Sequence, residues 1–175
     1  MRSIIYDVAV SLDGYIAGPD DDIGGFVMEG QHAHDYFARL QSYSTVIMGR
    51  HTYEFGYKYG LKAGQRPYPH MDHFIYSAGI ELGDGEGLTV VRNDFADHVR
   101  KLKSSDGGDI YLCGGGRFAG LLLEEGLIDR LILKVNPFIF GQGTPLFDTD
   151  RKVIGLKRID QKQYDSGVTL LIYDF

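Results

Sequence analysis

Two stretches of this 175-residue chain join an apolar run to glycine and arginine in an order suited to holding phosphate. In Val46-Ile47-Met48-Gly49-Arg50-His51-Thr52, Gly49 lets a ligand approach the backbone, Arg50 can pair with a phosphate and Thr52 can donate a hydroxyl. In Ile110 to Phe118, the consecutive Gly114, Gly115 and Gly116 remove every Cβ from the turn, and Arg117 adds a cation. Ligands of open α/β sheets sit beyond the carboxyl ends of the strands, where helix N-termini present free N–H groups to anions. Either segment alone is also what a tight strand-to-helix turn requires. Two Gly-Arg steps, each after a buried-type strand, make a diphosphate ligand the better account. The spacing from Gly114 is not the standard dinucleotide fingerprint, so the usual Rossmann motif is absent.

The elements that must position these residues follow from periodicity. Ser3 to Val10 reads as a strand and Leu12-Asp13-Gly14-Tyr15 as a turn. Gly18 to Gly30, with Asp20, Asp21 and Asp22, lacks any period and reads as a mobile surface loop. From Ala33, the positions Tyr36, Phe37, Leu40 and Tyr43 predict an amphipathic helix. Thr45 to Met48 is a short apolar strand of the kind buried on both faces of a parallel sheet, and a helix follows Gly49. Tyr57 to Met71 reads as a loop, Asp72 to Tyr76 and Leu88 to Val91 as strands, and Asn93 or Asp94 as the cap of a helix running to Lys103. Asp109 to Cys113 is a strand, Phe118 to Gly126 a helix ending on glycine, and Leu131 to Phe140 a long strand interrupted at Pro137. Ile154 to Tyr164 and Val168 to Phe175 alternate as an antiparallel hairpin about Asp165-Ser166-Gly167. The pattern is an α/β fold with a mostly parallel sheet, read as a single domain over 1–175.

Composition narrows the function. Eighteen Lys and Arg against 24 Asp and Glu leave a formal charge of −6, which argues against broad nucleic-acid binding. One cysteine, Cys113, excludes an intrachain disulfide and a multi-cysteine zinc site; at the end of an apolar strand it reads as a small buried thiol. No apolar run approaches the roughly 18 residues of a membrane span, and Met1 to Val10 does not read as a signal peptide, so a cytoplasmic protein without a membrane partner is expected.

Several motifs in order then carry a resemblance over nearly the whole chain. Val46 to Glu54 resembles the segment of dihydrofolate reductases that binds the phosphates of the nicotinamide cofactor, and Cys113 to Phe118 resembles their glycine-rich cofactor turn. Ala9-Val10-Ser11-Leu12-Asp13-Gly14-Tyr15-Ile16-Ala17, Gly126-Leu127-Ile128-Asp129, Pro137 and Gly141 to Phe147 are more specifically similar to the reductase domain at the C-terminus of the bifunctional riboflavin-biosynthesis protein, the RibD C-terminal domain, and its stand-alone relatives.

The resemblance implies a three-layer dihydrofolate-reductase-like fold that binds NADPH and transfers hydride to a small heterocyclic or sugar-derived substrate, as in reduction of 5-amino-6-(5-phosphoribosylamino)uracil. Carried over by position, Ala9 and Ile16 flank the nicotinamide, and Gly49, Arg50 and Thr52 hold phosphates. Ser77 lies near the adenosine ribose, and Gly114, Gly115, Gly116, Arg117 and Phe118 support the diphosphate. Asp13, in the turn beside the nicotinamide, is a candidate to contact substrate or relay a proton, although an Asp-Gly pair also simply makes turns. His32, His34 and Asp35 fall near the substrate end of the pocket, with His34 and Phe37 as substrate-binding candidates. His-x-His spacing puts the two rings on different helix faces, so no metal site is expected, and a solvated helix start is the default. His70 and His73 read as surface histidines, and the loop of Asp20 to Asp22 as a solvated segment or a lid. A homodimer is expected, with the Leu131 to Phe140 strand and the hairpin as its interface.

Two departures stand out. The acidic residue that binds the pterin in true dihydrofolate reductases corresponds to Ala33, which argues against folate reduction. Ser77 is followed by Ala78, whereas relatives often carry an arginine there for the cofactor's 2′-phosphate. The alternatives to a reductase are a nucleotide-binding module that has lost catalysis, or a flavin- or folate-binding sensor.

Overall fold

A computed structural model describes residues 1–82, 86–150 and 153–175. Strands β1 (Ile4–Ser11), β2 (Tyr15–Ala17) and β3 (Thr45–Gly49) frame helix α1 (Gln31–Leu40). Helix α2 (Arg50–Phe55) leaves β3 directly, followed by β4 (Asp72–Tyr76), β5 (Leu88–Val91) and α3 (Phe95–Ser104). The chain continues through β6 (Ile110–Gly114), α4 (Gly116–Glu124), β7 (Arg130–Asn136), β8 (Thr144–Pro145), β9 (Lys157–Gln163) and β10 (Thr169–Asp174).

The main sheet runs β5-β4-β3-β6-β1-β7-β10-β9. Every pairing from β5 to β7 is parallel, and β10 and β9 add an antiparallel edge. Side chains alternate across it, because successive Cβ atoms of a strand point to opposite faces. On one face Ile4, Tyr6, Ile47 and Leu112 pack with Val99 of α3 and Phe118 and Leu122 of α4. On the other, Ile5, Val46, Met48 and Ile75 pack with Leu40 of α1 and Tyr53 of α2. The result is the three-layer α/β arrangement expected from the resemblance. No helix among the described residues is long and apolar enough to cross a membrane.

The differences from the periodic reading have physical causes. Helix α4 begins at Gly116, two residues before the first bulky side chain, and Gly126 lies just beyond its end at φ +63°. Asp94 occupies the cap position of α3 at φ 50°, but its side chain makes no capping hydrogen bond. Strand β7 stops at Asn136, before Pro137, and β1 and β10 flank it. Its edges are therefore closed to a partner subunit. The sheet's edge strands are β5 and β9, and every residue of β9 is exposed. The expected mobile loop 18–30 is tied down: Asp21 pairs with His51 at 2.7 Å and Lys58 at 3.3 Å, and the Val27 N–H donates to Asn136 Oδ1 at 3.0 Å.

His73 is not a surface histidine. It is 1% exposed, stacks on Tyr68, accepts a hydrogen bond from the Tyr68 N–H at 3.2 Å and pairs through Nδ1 with the Met71 carbonyl at 3.0 Å. His70 bonds the Leu40 carbonyl at 3.0 Å. Burial pushes the His73 pKa down from 6.5 to about 4. The unfolded chain therefore takes up a proton below pH 6.5 that the folded protein refuses until about pH 4, so stability falls as pH drops through that window. Urea titrations at pH 7 and pH 4.5 should show a loss from this group on the order of 2 kcal/mol, and His73→Gln should flatten that part of the profile.

Candidate functional site

The site arises where two parallel strands part. Strand β1 pairs with β6 only through Ile4, Ile5 and Tyr6, but with β7 all the way from Ile5 to Ser11. Beyond Tyr6 the side of β1 that faced β6 has no strand partner. A cavity of about 330 Å³ opens there, lined by Val8 and Ala9 of β1, Ile16 of β2, Tyr36 and Phe37 of α1, and Cys113 of β6. A second cleft of about 710 Å³ lies at the N-terminal turns of α2 and α4, lined by Gly49, Arg50, Thr52, Gly115, Gly116, Arg117 and Phe118. The two spaces adjoin. Glu54 lines the outer one and its neighbour Phe55 the inner, and a Cβ on Gly115 would stand 3.8 Å from Ile16 Cδ1.

The outer cleft has the properties of an anion site. No side chain caps α4, so its first N–H groups are open to a ligand. Arg117 is exposed, and among the described residues its guanidinium has no hydrogen-bond or ion-pair partner. Arg50 pairs with Glu54 at 2.9 Å on the surface, an i,i+4 contact worth only about 0.3–0.5 kcal/mol that a phosphate can displace. The glycines divide their roles. A Cβ on Gly115 would crowd Thr52 Oγ1 at 3.1 Å and narrow the cleft, whereas a Cβ on Gly116 would collide with the Pro145 carbonyl oxygen. Gly116 thus serves the fold, letting the β8 segment lie against α4. The pairing of β8 with β2 holds that segment in place.

Ser77 and His34 line neither space. The Ser77 hydroxyl is buried and accepts from the N–H groups of Gly79 and Ile80 at 3.3 and 3.0 Å, shaping the turn after β4. His34 points to solvent, and Phe37, 60% exposed, stands at the mouth of the inner cavity. Asp13 also lies outside both spaces. Its carboxylate accepts from the Ser11 hydroxyl at 2.6 Å and from the N–H groups of Phe140 and Gly141 at 3.2 and 2.7 Å. These bonds, the Ser11 hydroxyl first, lower its pKa, which suits a clamp between two turns better than a proton donor. His32 is buried rather than solvated. Its Nε2 bonds the Val27 carbonyl at 2.9 Å and its Nδ1 pairs with the Ser166 hydroxyl at 3.1 Å, tying the 18–30 segment to the hairpin turn.

The periodic reading missed the polar groups of the inner cavity. Asp7 of β1 and Lys134 of β7 are both buried, with Lys134 Nζ 2.8 Å from Asp7 Oδ1 and 3.4 Å from the centre of the Tyr36 ring. Arg39 of α1 grips the same carboxylate from outside the cavity, Nε to Oδ2 at 2.7 Å and Nη2 to Oδ1 at 3.3 Å. Burial lowers the Lys134 pKa from its ordinary value, and Asp7 partly restores it. The hydroxyls of Tyr36 and Tyr111 meet at 2.8 Å, and burial raises the pKa values of both phenols and of the Cys113 thiol. The signal was a single charge inside each of two apolar strands.

The sequence profile of the RibD C-terminal domain matches residues 70–170. The chain belongs to that family. Over its length this RibD C-terminal domain is similar to YyaP, an uncharacterized protein of Bacillus subtilis strain 168, at 26% identity over 181 residues that cover 98% of this chain and 94% of YyaP. It superposes on a crystal structure from Shewanella sp. PV-4, whose name ties it to riboflavin biosynthesis, with a TM-score of 0.83 at 23% identity, covering 99% and 98% of the two chains. It also superposes on dihydrofolate reductase from Enterococcus faecalis complexed with NADP(H), with a TM-score of 0.67 at 16% identity, covering 98% and 95%. The RibD C-terminal domain therefore shares the dihydrofolate-reductase-like fold.

Replacing Gly116 by Ala should cost about 1–3 kcal/mol in a urea titration, because backbone must move. Gly49→Ala, where the new Cβ meets Phe118 at an ordinary 3.4 Å and φ is −75°, should cost about 1 kcal/mol or less. Equal costs at the two positions would contradict the separation of roles.

Proposed function

We propose that this chain is an NADPH-dependent reductase acting on a small molecule, with the outer cleft holding the cofactor's phosphates and the inner cavity holding its nicotinamide ring beside the substrate. One observation carries the reading: a cleft built for anions adjoins a largely apolar cavity across Ile16 and Gly115. Membership of the RibD C-terminal domain family supports it, as does a fold shared with an enzyme complexed with NADP(H). When bound, NADPH supplies hydride.

The chain's own residues bind, orient and exclude water. Arg117, Arg50 and the open N–H groups of α4 take phosphate oxygens, and Thr52 offers a hydroxyl. Ala9, small and next to the unpaired side of β1, leaves room for a flat ring, with Ile16 opposite. Phe26, Val27 and Met28 cover the inner cavity, and the edge-on packing of Phe26 against Phe138 and Phe140 holds that cover down. Lys134, its pKa lowered by burial and partly restored by Asp7, sets Nζ in the wall of the cavity.

No free carboxyl group stands where Ala33 lines the cavity, and that favours a second reading, a nucleotide-binding module without catalysis. Titration of the protein with NADPH and with NADH, followed by fluorescence, tests the cofactor reading. NADPH should bind, and Arg117→Ala should weaken it by about tenfold or more, the loss of one charge-assisted phosphate contact. Failure of either nucleotide to bind would remove the reductase reading. Binding without consumption across a screen of heterocyclic and sugar-derived substrates would favour the binding module.

A further inference from the structure

The inner cavity holds one buried ammonium whose counter-ion is shared. Among the described residues lining it, Asp7 is the one carboxylate and Lys134 the one ammonium. Asp7 does not neutralise Lys134 alone, because the Arg39 guanidinium holds both oxygens of the same carboxylate from behind. Two cations share one anion, so the cluster of Asp7, Lys134 and Arg39 carries a net positive charge, with Lys134 inside the cavity and Arg39 outside it. Lys134 is paired with Asp7, yet its pKa is still lowered, because desolvation outweighs what the shared carboxylate returns. The Tyr36 ring, 3.4 Å from Nζ, offsets part of that desolvation cost, and both residues line the open space.

The other polar groups on the wall are engaged. Both ring nitrogens of His32 are bonded, Asn136 accepts from the Val27 N–H and donates to the Lys134 carbonyl, and the Tyr36 and Tyr111 hydroxyls bond each other. The rest of the surface is apolar, with Ile16, Ile23, Phe26, Met28 and Phe55 among its members. Such a wall has one strong polar demand, a negative oxygen at Lys134, and offers little to a chain of hydroxyls or a dianionic phosphate.

We propose that Lys134 is the substrate-recognition residue of the inner cavity, and that its ligand is a compact, mostly apolar molecule bearing a single anionic oxygen of the carboxylate, phenolate or enolate class, rather than a sugar phosphate. The proposal rests on the reductase reading for what happens to the ligand once bound, but recognition itself does not require the cofactor.

The test is calorimetric titration with 1-naphthoate, its neutral isostere 1-naphthamide and ribose 5-phosphate, on the wild type, on Lys134→Met and on Arg117→Ala, each with and without NADPH. Arg39 keeps Asp7 paired in Lys134→Met, so no buried carboxylate is stranded, and circular dichroism checks that the variant folds. Naphthoate should bind the wild type at least tenfold more tightly than naphthamide, and ribose 5-phosphate should not displace it. Lys134→Met should erase the preference for the acid while leaving the amide nearly unchanged, and Arg117→Ala should alter neither. Equal affinities for acid and amide in the wild type would overturn the proposal without recourse to any variant. So would naphthoate binding that survives Lys134→Met, absence of naphthoate binding, or tighter binding of ribose 5-phosphate. The two readings fail separately. Lys134-dependent naphthoate binding in a protein that ignores NADPH and NADH removes the reductase and keeps this site, whereas NADPH binding without discrimination between acid and amide does the reverse.

Discussion

The parting of β1 from β6 beyond Tyr6 is the constraint on which the functional architecture depends. A parallel sheet covered by helices on both faces is ordinarily a continuous ladder, with no room for a ligand among its strands. Here β1 keeps β7 as a partner for its whole length while β6 turns away into the glycine run and α4. The gap leaves one side of β1 without a strand, and Ala9 and Val8 become cavity wall instead of ladder interior. Because the same divergence carries β6 into Gly115 and Gly116, the anion cleft and the inner cavity are two consequences of one geometric event.

Opening a sheet in its middle exposes groups that must then be satisfied. Asp7 and Lys134 stand opposite the split, on adjacent strands, and Arg39 reaches them from α1. Removing Asp7 is expected to be more disruptive than its net contribution to stability suggests, because the cations left behind keep their desolvation cost, whereas Arg39 still pairs Asp7 when Lys134 is replaced. The cluster locks α1 against β1 and β7, and α1 in turn bears His32, which fastens the covering segment through Val27. The polar network thus also anchors the segment of the cavity wall that carries Val27.

Glycine does two unrelated things in the same turn. Gly115 keeps a Cβ away from Thr52 at the floor of the cleft and so leaves that space open. Gly116 makes way for the Pro145 carbonyl, a service to the chain itself. Asp13 carries a similar lesson. Its place beside Ala9 and Ile16 suggested chemistry, but three donors converge on its carboxylate and make it the pin between the Ser11 turn and the Phe140 segment.

The sequence by itself determined the elements and the glycine-arginine turns. Strand and helix periods are local, set by side chains two or four positions apart, and the strands Asp72–Tyr76 and Leu88–Val91 stand where alternation and length put them. Arg50, Thr52 and Arg117, which line the outer cleft, were legible for the same reason, since a strand-to-helix turn is written in consecutive residues. Only the tertiary structure decided which distant positions meet. Asp7 and Lys134 are 127 residues apart, and His73 gives no sign in its neighbours that Tyr68 will stack on it. That both edges of β7 are taken, by β1 and β10, is likewise decided by the packed sheet. Register between strands far apart in the chain is a property of the packed sheet, and the pairing of Lys134 with Asp7 exists only once that sheet has formed.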